Sequence, residues 1–213
     1  SNEEAMASLR ISVKSKDPDL VGRMFTAKMV ELALANYPGL YMGGAVRSGG
    51  PVLVYWPALI DSKHIKETVH IDGKEINVMP TNQLDLEETY YQKQPVEIPP
   101  PPSGETLNKA LGELFGARSG DKGGCANIGV WAKSENAFSF LNNYLTIEKL
   151  KELMPDISEF QIDRYELPNI LSLNFYIHDI LEDGVSSNNR KDGQAKSLGE
   201  YLRAKYADLS LIH

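Results

Sequence analysis

The sequence predicts an α+β fold, with helices packed on one face of a mainly antiparallel sheet. Its 213 residues, 42% hydrophobic and 24% charged, fall in the range of globular chains that bury a core. Alternating apolar and polar residues predict strands, and apolar residues at helical spacing predict helices. In the second half these patterns follow the order strand, strand, helix, strand, strand, helix, which is typical of this fold class.

The pattern of the first half predicts a mixed α/β module. Residues 9–13 alternate apolar and polar, which predicts a half-buried strand. Asp17 and Pro18 are typical of a helix start, and the apolar residues that follow predict a helix ending at 37–39. Gly22 leaves open whether this is one helix or two, because glycine inside a helix costs about 1 kcal/mol relative to alanine.

Two further elements are predicted before the middle of the chain. The apolar run 52–57 predicts a buried strand that ends at its proline. Residues 67–71 and 74–78 flank Asp72 and Gly73, which is the sequence expected of a two-residue type I′ hairpin.

A proline-rich segment marks the predicted domain boundary. Four consecutive prolines at 99–102 favour an extended spacer with no packed core of its own. We therefore expect a first module at 1–92, a linker at 93–103 and a second module at 104–213. The alternative is that the prolines are a ligand for another domain.

In the second module, strands are predicted at 107–115 and 127–132, on either side of a glycine-rich segment. Amphipathic spacing over 138–144 predicts a helix, and Thr146 is typical of the cap of another that ends at Pro155.

The rest of the second module is predicted as two strands and a final helix. The strands are expected at 160–165 and 171–177. The helix is expected to begin near Asp192, with apolar residues as far as Tyr206 along one face.

Charge and cysteine content exclude several classes of partner. The net charge of −7 argues against a nucleic acid or an anionic membrane as the chief partner, because such surfaces are bound by basic patches. A single cysteine, Cys125, cannot form an intramolecular disulfide, which fits a reducing compartment. No apolar run approaches the roughly 20 residues that span a bilayer. We therefore expect a cytoplasmic protein with no membrane partner.

The glycine-rich segment 117–130, ARSGDKGGCANIGV, is the most informative stretch. Its glycines leave backbone N–H groups accessible and its cations add positive charge, so it is a candidate anion site. Walker A and Rossmann spacings are both absent. The alternative, a polar turn between strands, stays open. The candidate ligand-binding residues in this segment are Arg118, Ser119, Gly120, Lys122, Gly123, Gly124 and Asn127.

Two catalytic patterns in this segment are weak. Ser119 and Lys122 have S-x-x-K spacing, but the glycines around them oppose the helix that would bring the two side chains together. Cys125 is a possible nucleophile if a neighbouring cation lowers its pKa, but a lone cysteine is more often a small buried apolar residue.

A second polar cluster lies at 164–169. Arg164 and Asn169 are candidate ligand-binding residues of a site shared with the glycine segment; the alternative is a strand end with solvated charges and a turn. Asp121 and Glu166 are the candidate acid/base residues. The histidines lack metal-ligand spacing, so no metal and no cofactor are predicted.

Together these motifs resemble the acyclic terpene utilisation family AtuA. Residues 117–130 are similar to that family's glycine segment, and RYELPN at 164–169 with LNF at 173–175 is similar to a second family motif. Residues 192–196 resemble the start of its final helix. Upstream, 25–33, 37–39 and 55–59 resemble the end of its larger N-terminal domain. At the position of Cys125 that family often carries Asp or another small polar residue.

The resemblance implies a fold and a metabolic context. Residues 104–208 would be the family's ferredoxin-like domain, and residues 1–92 the C-terminal part of its core domain. The family belongs to citronellol and geraniol breakdown, which proceeds through coenzyme A esters beside a biotin-dependent geranyl-CoA carboxylase.

Two functions follow from this resemblance. One is an enzyme whose glycine segment binds a CoA ester or another anionic small molecule. The other is a non-catalytic module that docks the larger domain, a carboxylase subunit or a second copy of itself as a homo-oligomer.

Overall fold

The computed structural model describes residues 7–35, 38–78 and 96–210. The chain forms two compact units, one of residues 1–53 with 189–191 and the other of residues 54–188 with 192–213.

The smaller unit contains two consecutive helices, α1 (Pro18–Val21) and α2 (Arg23–Leu34). The Asp17 carboxylate caps α1 by accepting a hydrogen bond from the Asp19 amide at 2.9 Å. Gly22 separates the two helices, which settles the alternative that the sequence left open. The strand predicted at 9–13 is wrong, because this segment pairs with no strand of the described residues and its apolar side chains are exposed.

The first part of the larger unit contains one hairpin. Its strands are β1 (Glu67–Ile71) and β2 (Lys74–Val78), paired antiparallel. Asp72 and Gly73 have φ values of 48° and 72°, as a type I′ turn requires, so this prediction is confirmed. The buried strand predicted at 52–57 is wrong, because these residues form no strand and are exposed.

The second part of the larger unit is built on a four-stranded antiparallel sheet. Its strands are β4 (Gly116–Lys122), β5 (Cys125–Trp131), β6 (Ile162–Leu167) and β7 (Ser172–Ile177). Their order is β4-β5-β7-β6, so two hairpins lie side by side and meet at β5 and β7.

The largest differences from the predicted strand and helix boundaries lie at the two ends of this part of the chain. The strand predicted at 107–115 is β3 (Thr106–Ala110), followed by the short helix α3 (Leu111–Leu114). The final helix, α6, is only Leu198–Arg203. Tyr206, predicted on that helix, begins the strand β8 (Tyr206–Ser210), which pairs antiparallel with β3.

The remaining helices, α4 (Glu135–Tyr144) and α5 (Ile147–Leu153), confirm their predictions. Ser134 and Thr146 cap them, each accepting a hydrogen bond from a backbone amide three residues later.

The sheet has one buried face and one outer face. Alternate residues of β5 and β7, such as Ile128 and its register partner Phe175, are fully buried. Helix α6 lies on this face, because the Gly199 amide donates to the Ser119 hydroxyl at 2.9 Å and Ser119 is in register with Ile128. The α+β class with helices against one face of the sheet is therefore confirmed. The residues that alternate with these buried ones point to the opposite side of the sheet, which we call the outer face.

Candidate functional site

The glycine-rich segment is a β-hairpin rather than a loop. Lys122 and Cys125 are paired in register, which leaves Gly123 and Gly124 as a two-residue turn. Gly123 has φ +66° at the first turn position, where a type II′ turn uses glycine. The glycine-rich segment is therefore the polar turn between strands that the sequence left open as one of two alternatives.

Four of the predicted ligand-binding residues share the outer face of this hairpin. Arg118, Gly120 and Lys122 alternate along β4, and Asn127 on β5 is in register with Gly120. The ammonium of Lys196 lies 4.0 Å from the point that a Cβ on Gly120 would occupy. Arg118 and Lys122 therefore flank Gly120 along the strand, and the charged group of Lys196 approaches it from outside the hairpin.

The cationic groups of this cluster form few hydrogen bonds or ion pairs with the described residues. Within the part of the chain that the structure describes, the side chains of Arg118 and Lys196 form no hydrogen bond or ion pair. The Lys122 ammonium donates to the backbone carbonyl of Asp121 at 2.9 Å and meets no carboxylate among those residues. A positive patch therefore exists on a chain whose net charge is −7.

An amide pair continues the outer face beyond the cations. Asn127 Nδ2 donates to Asn174 Oδ1 at 2.8 Å. Asn174 is in register with Gly129, where an added Cβ would meet only the Arg118 carbonyl oxygen at 3.8 Å. The side-chain-free and partly exposed position Gly129 therefore leaves space beside the amides, whereas Gly120 is buried. Sequence reasoning did not select Asn174 or Lys196, because the pairing that brings them here is not visible in the sequence.

Ser119 and Asp121 lie on the other face of the hairpin. The Ser119 hydroxyl holds the start of α6, as described above, and Asp121 is in register with the buried Ala126. An added Cβ on Gly199 would lie 3.2 Å from the Arg118 carbonyl carbon, so α6 also packs closely on β4. The structure therefore separates these two candidates from Arg118 and Lys122.

The turn glycines are used for close packing within the larger unit. The Gly124 carbonyl accepts a hydrogen bond from the Leu181 amide at 2.8 Å, and a Cβ on Gly124 would overlap the Glu182 carbonyl oxygen. A Cβ on Gly123 would lie 2.9 Å from the Tyr55 ring. The Tyr55 amide donates to the Asp183 carbonyl at 3.0 Å.

The second predicted cluster lies at the opposite edge of the sheet. Arg164 and Glu166 belong to β6, and Asn169 follows it in a 3₁₀ turn, whereas the glycine hairpin begins with β4. Two strands separate these edges, so the structure does not bring the two clusters together.

The guanidinium of Arg164 is bound within the protein. It donates to the Leu145 carbonyl at 3.1 Å, to the Asn142 carbonyl and side-chain oxygens at 2.7 Å, and to Glu166 at 2.6 Å. The two carbonyls belong to the end of α4 and to its C-cap, where helices leave carbonyls without internal partners. Arg164 therefore joins α4 to β6.

Polar groups also occupy the end of the outer face near Cys125. The Cys125 sulfur accepts a hydrogen bond from the Asp179 amide at 3.5 Å. The hydrogen bond between the Tyr176 hydroxyl and Cys125, together with partial burial, raises the pKa of Tyr176 to about 12. Tyr176 therefore remains protonated at neutral pH.

The described residues also bear on metal binding and on membrane insertion. They contain no cluster of three or more His, Cys, Asp or Glu side chains suited to a metal ion. The same residues include no helix with the length and apolar character needed to traverse a bilayer.

The four-stranded sheet, its helices and its glycine hairpin define a small α+β domain of the ferredoxin-like class. Its family model, the AtuA ferredoxin-like domain, matches residues 109–207. The model of the acyclic terpene utilisation family protein AtuA matches residues 1–71. The chain belongs to the AtuA family, which gives it a context in acyclic terpene utilisation. No curated protein and no solved structure shows significant similarity to it.

Proposed function

We propose that the outer face of the β4–β5 hairpin binds the anionic part of a coenzyme A ester in acyclic terpene or related branched acyl-CoA catabolism. The observation that carries the proposal is the cluster of Arg118, Lys122 and Lys196 around Gly120. Phosphates are held by cationic side chains that donate charge-assisted hydrogen bonds, and such bonds are stronger than those between neutral groups.

The surroundings of the cations suit an extended ligand. Gly129 allows a ligand to approach the sheet, because it has no side chain and is partly exposed. The remaining amide groups of Asn127 and Asn174 face the same side and would orient polar atoms of the ligand. Arg164, Glu166 and Asn169 are not part of this proposed site, since they lie at the other edge of the sheet.

Isothermal titration with coenzyme A and with geranyl-CoA tests the proposal. We expect Arg118→Ala and Lys196→Ala each to weaken binding about tenfold, as the loss of one charge-assisted contact does. Lys151→Ala, which removes the same charge from α5, is the matched control and should bind like the wild type. Equal affinity in all four proteins would remove the hairpin from the site.

A docking role is the second candidate, favoured by the packing of Tyr55. Its ring lies against Gly123, and an added Cβ on Gly184 would lie 3.0 Å from its Cβ. Both glycines have positive φ, +66° and +110°, so both positions favour glycine. Tyr55 lies within the residues matched by the AtuA family model, so these glycines would hold a segment of that part of the chain.

Amide hydrogen exchange tests the docking role. We expect Tyr55→Ala to speed exchange at the Tyr55 amide region, because the ring no longer packs over the turn. Trp56→Ala is the matched control, since this neighbouring aromatic is 86% exposed. If both variants exchange at the same rate as the wild type, the glycine turn does not hold this segment.

A further inference from the structure

A histidine–carboxylate pair lies on the outer face, away from the cations. His178 directly follows β7, and its Nε2 lies 2.7 Å from Asp163 Oδ2 on β6. The Tyr176 ring contacts the His178 ring edge-on, with centroids 4.9 Å apart. The side chains of His178 and Asp163 are 31% and 38% exposed, so solutes can reach both.

The pair fixes which ring nitrogen can accept a proton. The hydrogen bond to His178 holds the pKa of Asp163 below its usual value, so this carboxyl is ionised at neutral pH. An ionised carboxylate only accepts hydrogen bonds, and Nε2 of His178 must therefore carry the hydrogen. In the neutral ring this leaves Nδ1 as the proton acceptor.

The pair is aligned with the cation cluster. Gly120, Asn127, Tyr176 and Asp163 form one row across the four strands in register. Three strand spacings of about 4.8 Å separate the ends of this row by about 14 Å. A ligand anchored at the cations can therefore lie along the row, over the amide pair, and reach His178 with its other end.

We infer that His178, positioned by Asp163, moves a proton at the acyl end of a thioester held on this face. The inference rests on the proposed function above. In the step, Nδ1 takes a hydrogen from the carbon next to the thioester carbonyl. The C–H bond breaks, the N–H bond forms, and the electron pair moves onto the carbonyl oxygen as an enolate. Return of the proton restores both partners, so no other reactant is consumed.

The neighbouring titratable groups are known from the structure. Asp163 faces His178 from β6, Tyr176 from β7, and Cys125 from β5 across the Tyr176 hydroxyl. Asp179 follows His178 in the chain and donates its amide to Cys125. Of these groups, Asp163 alone lies at hydrogen-bond distance from the His178 ring within the described part of the chain, which makes it the positioning residue.

Solvent deuterium exchange into acetyl-CoA, followed by proton NMR in D₂O, tests the inference. We expect the wild type to exchange the methyl hydrogens and His178→Gln to be slower by about 10²-fold or more, the usual contribution of a general base. Asp163→Asn should lower the exchange rate at saturating acetyl-CoA without changing the calorimetric Kd. His70→Gln, on the β1–β2 hairpin, is the matched control and should exchange like the wild type.

The outcomes separate the two proposals. If the wild type binds coenzyme A but exchanges no deuterium, the proton-transfer role is wrong and the anion site stands. Exchange that persists in His178→Gln also overturns the role of His178. If the wild type binds neither coenzyme A nor acetyl-CoA, both proposals fail together. If His178→Gln fails to fold, the Asp163→Asn variant decides by its rate at unchanged affinity.

Discussion

Helices α2 and α4 have similar lengths, 12 and 10 residues, yet they differ in what they bury. Helix α2 has no buried residue, whereas α4 buries Ala137, Phe138, Ser139 and Leu141. The difference extends to the regions around them. Every buried hydrophobic residue of the described chain lies between Leu111 and Leu209. Residues 7–35 and 38–78 contain caps, turns and paired strands, but their side chains remain accessible.

This contrast separates two kinds of sequence information. Capping residues and a type I′ turn act within a few residues, so they form in either region. Burial also requires a second surface that packs against the first. The apolar run at 52–57 has the composition of a buried strand, but no strand of residues 7–35, 38–78 or 96–210 pairs with it, and its side chains are exposed.

The sharpest test of the contrast removes one large side chain from each region. Phe175 is fully buried, so Phe175→Ala should lower the free energy of unfolding by about 3–5 kcal/mol through lost burial and a cavity. Leu59 is fully exposed, so Leu59→Ala should change the free energy of unfolding by less than about 0.5 kcal/mol. Urea denaturation monitored by circular dichroism measures both. Equal effects would show that the two regions share one core.

Replacing one cationic side chain in each region should have a smaller effect on the free energy of unfolding. Arg164 is 16% exposed and donates to two backbone carbonyls and two side chains, so Arg164→Met should cost about 2–3 kcal/mol. Lys28 pairs with Glu31 on α2, and both side chains are largely exposed. Lys28→Met should therefore cost at most about 0.5 kcal/mol. Thermal unfolding of the two variants provides the comparison, and a negligible cost for Arg164→Met would contradict its role in joining α4 to β6.

The fold was predictable where neighbouring residues decide the structure. Asp72 and Gly73 were sufficient for the hairpin, and Thr146 for the start of α5. Strand β8 was missed because Tyr206 continues the helical spacing set by Leu202. Its partner is β3, about 100 residues earlier, as the hydrogen bond between Asn108 and Asp208 illustrates. No local pattern encodes such a pairing.

The candidate site was predictable to the same limited extent. Charge and glycine content selected Arg118 and Lys122, which do share the outer face. Lys196 reaches Gly120 from the turn before α6, and this approach depends on how that helix packs. Arg164 was expected beside the hairpin but lies at the other edge, because strand order is set by tertiary packing.

The smallest expected effect concerns two carboxylates whose pKa values are lowered, Asp163 by its hydrogen bond to His178 and Asp61 by its hydrogen bond to Lys63. For Asp163 the unfolded chain takes up a proton near the ordinary pKa of 3.8 and the folded chain only at lower pH. Its stabilising contribution is therefore present above about pH 4 and lost as the pH falls through the folded value.

We expect Asp163→Asn to flatten the fall in unfolding free energy below about pH 4, because the group that titrates there is gone. Asp61→Asn should flatten the profile less, because the Lys63 contact is only two residues away in the chain and forms in the unfolded chain as well, which leaves a smaller difference between the folded and unfolded pKa of Asp61. Urea denaturation at a series of pH values from 2 to 6 measures both profiles, and an unaltered slope in Asp163→Asn would show that the cross-strand pair does not stabilise the sheet.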